Sequence, residues 1–362
     1  MFWRGKRIFL TGHTGFKGSW LALWLAELGA SVTGFSLEPP SSPSLFEAAE
    51  VANGMRSLKG DIRDANLLRA AIHSTAPEIV IHLAAQSLVR LSYHDPLATF
   101  ETNVMGTANL LEAVRGCGSV RAVVVITSDK CYENQEWIWP YREDDRLGGY
   151  DPYSSSKACA ELVVSSYRNS FFPIARYTEH GVAIATARAG NVIGGGDWAT
   201  DRLIPDIIRG FANGEVVSIR NPHAIRPWQH VLEPLRGYLM LAEQLYHDGV
   251  AFSGGWNFGP KYADVRPVEW MVRRMASLWE PGAIFSVDGG MHPHEANMLK
   301  LDWSKAASEL NWEPVFSLER AVELTVDWYR RWKAGEPAAE LVKEQTEQYS
   351  ALAGFAPAVA AA

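Results

Sequence analysis

Arg7-Ile-Phe-Leu-Thr11 is a short apolar run of the kind a fully buried strand needs, and the pattern changes period straight after it. Residues 17–28 place apolar side chains at helical spacing, and 31–35 return to a strand pattern. The same alternation continues, with a helix over 64–73, a strand over 79–83 and a long helix over 96–114. Residues 121–127 form the next strand, apolar without a break from Ala122 to Ile126. A helix over 153–168 and a strand over 182–188 follow. Strands that alternate with helices imply a parallel sheet with right-handed crossovers. The expected class is α/β: a Rossmann-type doubly wound parallel sheet with a smaller C-terminal α/β substrate domain.

After Gly190 the pattern loosens. Gly194–Asp197, Asn221-Pro222-His223 and Gly259-Pro260 mark turns, and shorter helices are expected over 268–278 and 318–332. The division that follows is a dinucleotide domain over 1–190, with a return segment around 228–258. A substrate domain takes 191–227 and 259–335. Residues 336–362, Ala-rich from Ala351, read as a C-terminal tail.

Composition narrows the classes. The chain has 362 residues, 47% hydrophobic and 21% charged, which fits a globular protein with a sizeable core. Its net charge of -7 and scattered basic residues give no footprint for nucleic acid. The three cysteines, Cys117, Cys131 and Cys159, lack metal-ligand spacing, and no metal is expected. They suit a reducing compartment. The first residues are too short and too polar for a signal peptide, and no apolar run could span a bilayer. A cytoplasmic protein without membrane contact is expected.

The chemistry begins where the first strand ends, at Thr11-Gly12-His13-Thr14-Gly15-Phe16-Lys17-Gly18. Gly12 permits a tight turn, Gly15 lets backbone approach a pyrophosphate and Gly18 lets the helix pack on the strand. The helix N-terminus then offers free N–H groups to phosphate. Strand, turn and helix stand in the order that dinucleotide binding requires. His13 stands in the turn as a bulky side chain that would hinder close approach of a pyrophosphate. Ser36 ends the second strand where an acid for the ribose is usual, and no arginine is ready for a 2′-phosphate. NAD is favoured over NADP. Asp61 and Ile62 suit an adenine amino group, and Asp61 suits a helix N-cap equally well.

Tyr153 and Lys157 fall on successive turns of one helix and point the same way. A tyrosine acts as a base only when positive charge holds its phenolate, and a nearby ammonium supplies some of it. Ser128, at the end of the 121–127 strand, adds a hydroxyl. Asp129 and Lys130 follow it, where a strand end opens onto the ligand crevice of such sheets. They are either a turn with solvated charges or an acid and a base for a second carbon.

These segments together resemble the extended short-chain dehydrogenase/reductase family, and within it the nucleotide-sugar 4,6-dehydratases, in the branch that acts on CDP-glucose. The similar runs are 5–20, Leu83-Ala84-Ala85-Gln86-Ser87, 103–107, Thr127-Ser128-Asp129-Lys130, 191–198 and 226–234. The resemblance implies an enzyme-held NAD and a three-step cycle on a nucleotide-linked glucose, CDP-glucose in this branch. Tyr153, with Ser128 and Lys157, would take the proton of the C4 hydroxyl as hydride leaves. Asp129 matches the acid for the C6 hydroxyl, and Lys130 stands where related enzymes carry a glutamate base. Leu83, Ala84, Ala85 and Asn103 match positions around the cofactor, beside Thr14 and Phe16 of the turn. Ser87, Asn191, Arg202, Leu203, Arg220 and Arg226 match positions around the nucleotide sugar. A homodimer or dimer of dimers, built on the 96–114 and 153–168 helices, is also implied. A 4-epimerase, which needs no elimination pair, and a non-catalytic NAD-binding regulator are the competing readings.

Overall fold

The computed structural model describes residues 2–279, 283–288, 290 and 298–355. Seven parallel strands form the central sheet. They are β1 (Arg7–Thr11), β2 (Ser31–Ser36), β3 (Arg56–Lys59), β4 (Ile79–His82), β5 (Ala122–Ile126), β6 (Ala183–Ala189) and β7 (Gly254–Phe258), in the order β7-β6-β5-β4-β1-β2-β3. The order reverses between β1 and β4, which places a crevice at their carboxyl ends.

Alternate strand residues serve opposite faces. Ile8, Leu10, Ile79, Ile81, Val124 and Ile126 enter one core, against α1 (Phe16–Glu27). Phe9, Val80, Val123 and Val125 enter the other, beneath α2 (Ala65–Thr75). Both faces are apolar, so the strands read as continuous hydrophobic runs.

The expected 96–114 helix is in fact α3 in three pieces: Pro96–Phe100, a π-helical turn Glu101–Met105, and Gly106–Arg115. One residue inserted into the helical ladder makes such a turn, and spacing alone does not reveal it. Next comes α4 (Pro152–Ser170), begun by Pro152 at its first turn and capped by Asp151, which accepts from Ser154 N at 2.9 Å.

Further on, α5 (Leu203–Asn213) and three two-stranded pairs build the smaller part. One pair joins Val217–Ile219 to Phe285–Val287, another Ile225–Arg226 to Arg266–Pro267 and a third Val192–Ile193 to Gln229–His230. Helix α6 (Leu232–His247) precedes β7, and α7 (Val268–Trp279) and α8 (Leu318–Lys333) follow it.

The supposed tail needs correction. Residues Ala338–Leu352 form α9, with Leu341, Val342 and Tyr349 buried. Tyr349 packs edge-on against Trp24 of α1, and its hydroxyl donates to the buried Glu233 at 2.6 Å. Leu341, Val342, Gln345 and Tyr349 recur at helical spacing among the polar residues of 338–352 and form its buried stripe. Residues 356–362 lie outside the described residues.

Candidate active site

One cavity of about 760 Å³ opens at the carboxyl ends of β1, β4 and β5. The glycine turn forms its floor. Gly12 has φ +77, and a Cβ there would stand 2.7 Å from Ala84 N. A Cβ on Gly18 would come within 2.1 Å of Gly12 O, so helix and turn close only without one. Gly15 caps α1 and lines the cavity, with nothing nearer than 3.5 Å to a Cβ. Its bareness therefore serves whatever lies in the cavity. These three positions fit a dinucleotide, with its pyrophosphate at the α1 N-terminus.

Thr14 and Ser36 sit beside that floor and share a hydrogen bond of 2.8 Å. Thr14 also donates to Leu37 O at 3.0 Å. Phe16, Leu83, Ala84, Ala85 and Ile62 line the same space. Asp61 lines it too, but its carboxylate already holds Arg63, with Nε at 2.9 Å. That hydrogen bond draws the Asp61 carboxyl below its ordinary range. The N-cap of α2 is Asp64, which accepts from Leu67 N at 2.9 Å.

Two expected cofactor residues do not reach the cavity. His13 is 1% exposed and turns beneath β2, with Nε2 at 2.7 Å from Ser57 Oγ. Gly34 makes room for the ring, since a Cβ there would lie 2.4 Å from His13 Cγ. Burial pushes the imidazole down to about 4, so it is neutral. It does not crowd a pyrophosphate, and shortening it would give that group no new room. Asn103 sits on the π-helical turn of α3 and is 2% exposed. Its amide accepts from Gln86 N at 2.8 Å and donates to Gln86 O and to Ser156 Oγ. It braces the 83–88 loop against α4 and leaves contact with a ligand to others.

The polar cluster lies above β5. Ser128 caps a short helical turn, Asp129–Cys131, by accepting from Lys130 N at 3.2 Å. Its hydroxyl donates to Asp129 Oδ1 at 2.9 Å. The other oxygen, Asp129 Oδ2, is buried with no hydrogen-bond partner among the described residues. Burial raises the Asp129 carboxyl above its ordinary value, against the pull of Lys130, Ser128 and Arg226. An unpartnered, raised carboxyl is poised to hold and give a proton.

Tyr153 and Lys157 stand on one face of α4, and both line the cavity with Ser128, Asp129 and Lys130. Burial pushes the Tyr153 phenol up to about 12, with the Ser128 hydroxyl working against it. Lys157 donates to Ile126 O at 3.2 Å, and burial pushes its ammonium down to about 8. Glu161, one turn further on α4, opposes that fall. Glu161 is itself locked to Arg188 of β6 at 2.8 Å in a buried pair.

Lys17 was missed by the sequence reading. It lines the cavity from the first turn of α1, where burial pushes it down to about 7 and Lys157 and Arg202 add to the fall. A lysine at a helix N-terminus opposes the helix dipole, and that oddity was a signal.

The other half of the cavity is rich in arginine. Asn191, Leu203, Arg220 and Arg226 line it. Arg202 pairs with Asp197 at 2.9 Å and donates to Ser87 Oγ at 2.7 Å across the cavity. Asp197 is the first cause that holds the Arg202 guanidinium above its ordinary value. Arg226 is 7% exposed and helps to moderate Asp129.

A family described as GDP-mannose 4,6 dehydratase matches residues 9–325. The chain belongs to this family. Within it, the chain is 57% identical to a CDP-glucose 4,6-dehydratase of Salmonella typhimurium, over 96% of this chain and 97% of that protein. A dTDP-glucose 4,6-dehydratase of Xanthomonas campestris is 25% identical over 88% of this chain and 92% of its own. Among solved structures, DesIV, a dTDP-glucose 4,6-dehydratase of Streptomyces venezuelae with NAD and TYD bound, superposes with a TM-score of 0.74. That likeness spans 91% of this chain and 98% of DesIV at 23% identity, and speaks for the fold. The GDP-mannose 4,6-dehydratase family thus includes this sheet, with its crevice and its Tyr153–Lys157 helix.

Proposed function

We propose that the protein converts CDP-D-glucose to CDP-4-dehydro-6-deoxy-D-glucose, with NAD held at the glycine turn. The observation that carries this reading is one cavity that holds Tyr153 and Lys157 beside Asp129 and Lys130. The high identity to a CDP-glucose 4,6-dehydratase supports the same substrate. NAD, when bound there, would supply the acceptor for the C4 hydride and its return to C6, so no net redox change would remain.

This chain's residues handle the protons. Tyr153, as phenolate, takes the C4 hydroxyl proton, and Ser128 shares the hydrogen bond to that oxygen. Lys157 brings positive charge to the phenolate and a donor to the nicotinamide ribose. The new C4 ketone makes the C5 proton acidic. Lys130, beside Asp129 on the cavity wall, takes that proton. Asp129, with its raised carboxyl, gives a proton to the leaving C6 oxygen, so water departs across C5–C6. Ser87, Asn191, Arg202, Leu203, Arg220 and Arg226 hold the nucleotide. Arginine suits a diphosphate because its fork binds two oxygens at once.

The reading extends to assembly. Leu97 and Met105 of α3 and Leu162 of α4 are more than half exposed, a face that suits a second copy of the chain. Among the described residues no helix is long and apolar enough to cross a membrane.

Incubation with NAD and CDP-glucose should give a 4-keto-6-deoxy sugar product, with no lasting rise in reduced nicotinamide. A 4-epimerase would instead return CDP-galactose. Turnover of dTDP-, UDP- or GDP-glucose at equal rates would remove the CDP assignment.

A further inference from the structure

Arg90 takes no part in the reactions described so far, although it lines the same cavity. It stands on the short helix Val89–His94, which follows the 83–88 loop. Its Nη1 lies 3.3 Å from Asp201 Oδ1. Arg220 reaches the same oxygen from the other side, at 3.8 Å. One carboxylate oxygen thus stands between two guanidinium groups, as a phosphate oxygen would.

Asp201 is placed with some effort. Its φ is +59, a left-handed conformation that is costly for a residue other than glycine. It immediately precedes Arg202, which crosses to Ser87 from the same loop. Three arginines, Arg90, Arg202 and Arg220, therefore border the substrate half of the cavity, each facing an acid of the 197–201 loop. Among the described residues these three arginines share two acids, Asp197 and Asp201, so positive charge remains for an anion.

We propose that Asp201 holds the place of the substrate's diphosphate, and that Arg90 joins Arg220 in receiving that diphosphate when the nucleotide sugar binds. The assignment rests on the CDP-glucose reading above and adds a ligand and a tethered competitor to it. Asp201 keeps the arginines gathered, and a diphosphate with more charge and more acceptor oxygens displaces it. The acid therefore weakens nucleotide binding while Arg90 strengthens it.

Titration calorimetry of CDP, with NAD at saturation, tests this on wild-type protein, Arg90→Gln and Asp201→Asn. Asparagine tolerates the left-handed conformation, so Asp201→Asn removes the charge and keeps the backbone. Arg90→Lys serves as a second variant that keeps the charge but loses the fork. Arg90→Gln should weaken CDP about tenfold or more, as loss of a charged hydrogen bond does, with Arg90→Lys between. Asp201→Asn should tighten CDP about threefold or more, since the competing carboxylate is gone. Cytidine, which has no phosphate, should bind all four proteins alike. If Arg90 and Asp201 form only a structural clamp, both variants shift CDP in the same direction, and the assignment is overturned. Unchanged CDP binding in the variants also overturns it while the CDP-glucose reading stands. Wild-type protein that binds no CDP removes both.

Discussion

Replacing Tyr153 with phenylalanine should lower kcat by about 100-fold or more, the usual contribution of a positioned acid–base group. Binding of CDP-glucose should change little. In the proposed mechanism the hydroxyl acts on the way to the transition state, so the loss should fall on kcat and leave KM near its wild-type value. The phenol is pushed up to about 12 by burial, so its basic form is the minority at neutral pH. The rate of C4 oxidation in a single turnover should therefore rise with pH across the neutral range in the wild type. In Tyr153→Phe that rise should vanish. A variant that keeps more than a tenth of wild-type kcat would show that another group takes the C4 proton.

Asp129→Asn should separate the two halves of the reaction. In the proposed mechanism oxidation at C4 draws on Tyr153, Ser128 and Lys157, so it should continue. Loss of water needs a proton at the C6 oxygen, and an asparagine amide has none to give. The variant should accumulate reduced nicotinamide on the enzyme when CDP-glucose is added, visible as its near-ultraviolet absorbance. The expected fall in product formation is again about 100-fold. The amide keeps the shape of the side chain and can still accept from Ser128, which now reaches Asp129 Oδ1 at 2.9 Å. Dehydration at the normal rate would refute the assignment, as would failure to oxidise at all.

What the sequence disclosed depended on how local each constraint is. Gly12, Gly15 and Gly18 were legible because one turn fixes all three, and the distances at Gly12 and Gly18 are as that turn demands. Tyr153 and Lys157 were legible because helical spacing alone puts them on one face. His13 and Asn103 were misplaced for the opposite reason. Both belong to runs that border the cavity, but their side chains follow distant partners, Ser57 in one case and Ser156 in the other. Asp201 carries no sequence signal, since its contacts with Arg90 and Arg220 join separate parts of the chain. Lys17 could have been noticed, since its charge is unfavourable at the start of a helix.

The packing of α9 on α1 bears on how the protein is made. A ribosome releases the glycine turn long before Tyr349, yet Tyr349 packs on Trp24 and holds Glu233 of α6. The outer face of α1 thus stays bare until residues 338–352 have emerged. Chains that stop before residue 338 should remain open to protease around α1, whereas chains that include Ala338–Leu352 should resist it. Until then the Trp24 side of α1 lacks its cover, and the interval between the first and last of these contacts is a period of exposure to chaperones.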